Sequence, residues 1–93
     1  MKPKPNETQL DCEWKLVDGN VVRNSTCQRI ELLVSEYLLK VAGGGWETLY
    51  RDPEDGRYWE LTYPQGEMHG GGPPRLKYLP IAEAKAKYPV LNG

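Results

Sequence analysis

Two aromatic-rich runs close around one turn, and nothing else in this chain restricts its fold so much. Trp46-Glu47-Thr48-Leu49-Tyr50-Arg51-Asp52 is followed by Pro53-Glu54-Asp55-Gly56 and then by Arg57-Tyr58-Trp59-Glu60-Leu61-Thr62-Tyr63. Proline opens the connection and glycine closes it with a positive φ, so the stretch is expected to form a β-hairpin. With these four residues as the loop, Asp52 faces Arg57, and alternation then assigns every side chain to a face. One face collects Trp46, Thr48, Tyr50, Trp59, Leu61 and Tyr63; the other collects Glu47, Leu49, Arg51, Tyr58, Glu60 and Thr62. The aromatic face is the expected core, because each large apolar side chain contributes on the order of 1.5–3 kcal/mol when buried. The charged face is left for water or for a partner.

A length of 93 residues suits one domain with a modest core. Residues 1–9 carry two Lys-Pro pairs and no apolar pattern, so they read as a disordered lead, and 10–93 as a single domain. Apolar residues at 39% and charged residues at 27% argue against a disordered chain. The net charge of −1 excludes the strongly basic balance of a protein that holds nucleic acid by its phosphates. No run is long enough to cross a bilayer and no apolar signal region follows Met1, so a cytoplasmic monomer without a membrane partner is expected. The charge is uneven, however. Between residues 45 and 70 the acids Glu47, Asp52, Glu54, Asp55, Glu60 and Glu67 stand against only Arg51 and Arg57. This acidic island is either a solvated hairpin end or a surface for a basic partner.

Before the hairpin, Glu13-Trp14-Lys15-Leu16-Val17 and Val21-Val22-Arg23 flank Asp18-Gly19-Asn20 and read as a first, shorter hairpin. Asn24, Ser25 and Thr26 are candidate helix caps, and Ile30, Leu33, Val34, Tyr37, Leu38 and Val41 follow at helical spacing. That helix is expected to lie across a sheet and to stop at Gly43-Gly44-Gly45. Residues 64–74 are rich in Gly and Pro and form a long loop, the kind that is usually functional or disordered. Arg75-Leu76-Lys77-Tyr78-Leu79 alternates as a last strand, and Ile81 to Tyr88 has the Ala, Glu and Lys content of a short helix ended by Pro89. The sum is an α+β fold: a mainly antiparallel sheet of about five strands, one long helix packed on a face, and a short C-terminal helix.

Catalytic chemistry finds little support in these residues. His69 is the single His, and neither Cys12 nor Cys27 has the context of a nucleophile beside it. In the cytoplasm the two Cys are expected as free, small apolar fillers; in an oxidising compartment they could pair. Two Cys at wide spacing and one His do not make a metal site, and no cofactor is implied. Gly70-Gly71-Gly72 lacks the Lys-Ser/Thr that follows a phosphate loop. Glu47 and Glu60 lie one pair position apart in the expected register and superficially suggest an acid/base pair, but Arg51 on the same face could simply neutralise them.

Residues 45–53, 55–64 and 67–76, read as Gly-Trp-Glu-Thr-Leu-Tyr-Arg-Asp-Pro, Asp-Gly-Arg-Tyr-Trp-Glu-Leu-Thr-Tyr-Pro and Glu-Met-His-Gly-Gly-Gly-Pro-Pro-Arg-Leu, together resemble immunity protein family 27. These are small cytoplasmic proteins associated with bacterial polymorphic and contact-dependent toxins. One departure is the closing helix, which follows Leu79-Pro80-Ile81 without a Ser, Thr or Asp cap. The resemblance implies an inhibitor that neutralises a cognate toxin domain by stoichiometric binding. A nuclease toxin with a basic cleft would suit the acidic island, with Glu47, Asp52, Glu54, Asp55, Glu60 and Glu67 offering charge and Tyr58 and His69 acting as anchors. The alternative is a small hydrolase-like enzyme using Glu47, Glu60 and His69.

Overall fold

The computed structural model describes residues 2–44, 47–64 and 72–92. Its strands and helices follow in the order β1 (Gln9–Asp11), β2 (Trp14–Val17), β3 (Asn20–Arg23), α1 (Ser25–Leu32), β4 (Leu39–Gly44), β5 (Glu47–Arg51), β6 (Tyr58–Thr62), β7 (Arg75–Leu79) and α2 (Ile81–Lys87). Five strands form an antiparallel sheet in the order β1-β7-β6-β5-β4, while β2 and β3 form a separate two-stranded ribbon. The fold is α+β.

The central hairpin has the expected register: Arg51 pairs with Tyr58, Tyr50 with Trp59, Leu49 with Glu60 and Thr48 with Leu61. Its aromatic face is core. Trp59 and Leu76 are fully buried there with Ile30 and Leu33, and Tyr50, Leu61 and Tyr78 pack around them. Trp46 lies outside the described residues.

The other face departs from expectation. Leu49 on it is fully buried and clusters with Leu79 and Ala84, joined by Tyr58, Tyr88 and Leu91. The reason is α2, whose apolar side closes over this face, so the sheet is covered on both sides in the manner of a three-layer domain. Pro80 caps α2 without a side-chain hydrogen bond, and the helix nonetheless starts at Ile81.

The first helix is shorter than its periodicity suggests. Asn24 caps it by accepting from the Cys27 amide, and α1 runs into a π-helical turn over Leu33–Tyr37. Leu38 then turns extended, its amide donating to the Leu33 carbonyl at 2.7 Å. Leu39–Gly44 pairs with β5 as an edge strand carrying a bulge at Val41. Leu38 and Val41 fit a helical spacing, but β-branched Val41 suits a strand, the glycines after it disfavour a helix, and pairing with β5 decides for the sheet. Gly43 and Gly44 therefore end no helix.

Two further observations concern the start of the chain and the cysteines. Pro3 is buried, and Gln9 and Leu10 belong to the sheet. Glu7 forms a bidentate pair with Arg29, and Arg57, stacked over Trp59 at 5.0 Å, donates to the Glu7 carbonyl at 3.1 Å. Cys12 and Cys27, expected free, form a disulfide. The fold brings them together because Cys12 continues β1 and Cys27 sits in the first turn of α1, both facing the main core.

Candidate partner-binding surface

The turn at the centre of the acidic island is built by Asp52. Its amide donates to the Arg57 carbonyl at 2.8 Å, and its carbonyl accepts from Gly56, which has φ +77°. Its side chain folds back over the loop, so that Oδ1 accepts from the Glu54 amide at 2.8 Å and from the Tyr37 hydroxyl at 2.7 Å. Asp52 is 1% exposed. Its carboxylate satisfies buried donors and is not offered to a partner, because desolvating it again would leave those donors unpaired. Tyr37 is pushed well above the ordinary phenol range, chiefly by burial and then by Asp52 and Glu54.

Glu60 is likewise inside, at 4% exposure. The Tyr88 hydroxyl donates to its Oε2 at 2.6 Å, and the Lys87 ammonium lies 2.9 Å from the same oxygen. Lys87 also reaches Glu47 at 2.5 Å, which lowers the Glu47 carboxyl and raises the lysine. This group ties α2 to the second face of the sheet. Tyr58, expected as an anchor, is half-buried in the same cluster.

Of the residues expected at the contact, Glu54 and Asp55 are exposed and Glu47 is partly so. Each already has a cation: Lys2 lies 3.3 Å from Glu54, Arg57 is 2.7 Å from Asp55, and Lys87 holds Glu47. Glu67 and His69 lie outside the described residues. The structure thus brings Glu47 and Glu60 together through Lys87, separates them from the turn acids, and buries Glu60, which alternation had placed on the outer face, along with Asp52 of the turn.

A cleft of about 250 Å³ opens beside α1, lined by Trp14, Arg23, Ile30, Val34 and Leu61 among others. Neither Glu47 nor Glu60 lines it. Among the described residues no group of three or more His, Cys, Asp or Glu side chains is placed to hold a metal ion.

The ribbon of β2 and β3 is the shorter hairpin expected from the sequence, and its exposure is what that expectation did not include. It projects with Leu16 76% and Val21 61% exposed, a display that a count of apolar residues cannot distinguish from core. The missed signal was the valine pair in β3, which gives that strand an apolar residue on both faces. Comparison with known proteins adds one finding: a family model described as Immunity protein 27 matches residues 16–80. No curated protein and no solved structure matches the chain.

Proposed function

This chain belongs to the Immunity protein 27 family, and we propose on that footing that it neutralises a bacterial toxin domain by binding it directly, one copy to one, without turnover. The observation that carries the reading is the family match, which spans α1 and six of the seven strands, at least in part. The buried carboxylates agree with an inhibitor whose charged groups hold its own fold together. Glu60, the residue an acid/base pair would need, is enclosed by Tyr88 and Lys87 and does not line the cleft beside α1.

What remains of an acidic contact rests on Glu47, Glu54 and Asp55. Exposed and already paired carboxylates add little to the strength of a complex, but they raise the rate at which a basic partner arrives. A nuclease domain of a polymorphic or contact-dependent toxin is the partner class that such attraction favours. We place the encounter in the cytoplasm; no helix among the described residues is long and apolar enough to cross a membrane. The test is size-exclusion chromatography of the chain mixed with an inactivated toxin domain encoded beside it. A single peak holding the two in equal amounts is expected, and two separate peaks at micromolar concentration overturn direct binding.

A further inference from the structure

The ribbon formed by β2 and β3 stands outside the five-stranded sheet and, among the described residues, its strands pair with each other alone. Its turn is built for a tight ribbon, with Asp18 at φ 51° and Gly19 at φ 80°. Its root is held in three ways. The Cys12–Cys27 disulfide closes the chain on either side of it. Asn24 donates its amide to the Glu13 carbonyl at 3.0 Å, while its side-chain oxygen accepts from the Glu13 and Cys27 amides at 3.2 Å. Arg23 stacks over Trp14 at 5.5 Å.

Beyond this root each face of the ribbon displays apolar residues. Leu16 pairs with Val21 on one, and Val17 and Val22 lie on the other at 49% and 47% exposure, opposite Asn20 and Lys15. An isolated two-stranded ribbon is marginal in water, so a root this firmly fixed holds out an arm whose apolar residues lack cover. The charges on the arm cancel, Glu13 and Asp18 against Lys15 and Arg23.

Two considerations select the occupant. One face of so short a ribbon offers well under the roughly 800 Å² per partner of a standard interface. A second copy laid face to face or strand to strand would therefore bury too little and would leave the opposite face wet. An occupant must close over both faces, and an arm whose four charges cancel around four exposed apolar side chains matches walls that are largely apolar and carry no net charge. We propose that the arm of residues 13–24 is inserted as a wedge into an apolar cleft of the toxin domain. This rests on the immunity reading above, and it names the part of the chain that sets the lifetime of the complex.

The test measures binding kinetics of the inactivated toxin domain encoded beside this chain to the immobilised wild type and to single variants. Leu16→Asp and Val21→Asp probe one face, Val17→Asp and Val22→Asp the other, and Glu83→Lys, at an exposed position of α2, serves as the remote control. Thermal melting accompanies each, and Val21→Thr and Val22→Thr, which retain strand propensity, replace any Asp variant that melts early. At least about 30-fold faster dissociation is expected for the Asp variants of both faces, with Glu83→Lys dissociating within about threefold of wild type. Loss confined to one face overturns the wedge, as does a wild-type dimer that the arm variants dissociate. Unchanged dissociation for all four variants removes the arm from the contact while leaving direct inhibition intact. A wild type that fails to bind the domain at all overturns the immunity reading and the wedge with it.

Discussion

At the scale of single residues, the carboxylates divide by what they satisfy. Glu7 accepts from Arg29 at 2.6 Å through one oxygen and is also held by the second guanidinium nitrogen, which lowers its carboxyl from 4.5 to about 2 against the opposing effect of burial. A depressed carboxylate contributes stability that is complete above its unfolded value and is lost as pH falls through its folded one. Wild type is therefore expected to exceed Glu7→Gln by on the order of 2 kcal/mol at pH 6, in urea unfolding, and the gap should close between pH 4.5 and 2. Asp52 makes a second case. Removing it strands the Glu54 and Asp55 amides and leaves the Tyr37 hydroxyl to Glu54 alone, so Asp52→Ala is expected to cost about 2–3 kcal/mol by the same measurement, and Glu54→Ala less than about 1 kcal/mol. The sequence placed Asp52 correctly at the mouth of the turn. Whether its side chain points out or folds back was not legible, because that choice depends on Tyr37, which reaches the turn from the end of the first helical segment.

At the scale of elements, local chemistry was readable and distant cover was not. Both hairpins follow from turn residues and alternation, which act within a few positions, and the register expected for the central one matches; in the first, Asn20 joins the strand and the turn narrows to Asp18-Gly19. The helix was overextended because Leu38 and Val41 satisfy a 3.6-residue period while also suiting a strand, and only pairing with β5 decides between them. The charged face of the central hairpin looked open for the same reason: α2 comes from the far end of the chain to cover it. The disulfide is the cross-link that joins β1 to α1 around the arm. Replacing both Cys12 and Cys27 by Ser is expected to leave a folded protein, since Asn24 still ties the root, but to cost about 3 kcal/mol in denaturant titration. Hydrogen exchange should then speed first at the amides of β2 and β3. Unchanged exchange there would show that the bridge does nothing for the arm.

At the scale of the whole molecule, buried carboxylates brace the sheet while an apolar ribbon stands outside it. Cytoplasmic residence and the disulfide pull in opposite directions, since such bridges persist mainly in oxidising compartments. Acid quenching of cells, followed by alkylation of the unfolded chain, separates them: residence in the cytoplasm leaves the buried Cys12 and Cys27 as thiols that take the reagent, and complete protection places the chain elsewhere. The central claim is inhibition by occupancy, and its most direct measurement is the activity of the neighbouring toxin domain titrated with this chain at concentrations well above the dissociation constant. Activity should fall in a straight line and reach its floor at one equivalent. A floor reached far below one equivalent, or activity that persists beyond it, would contradict the account.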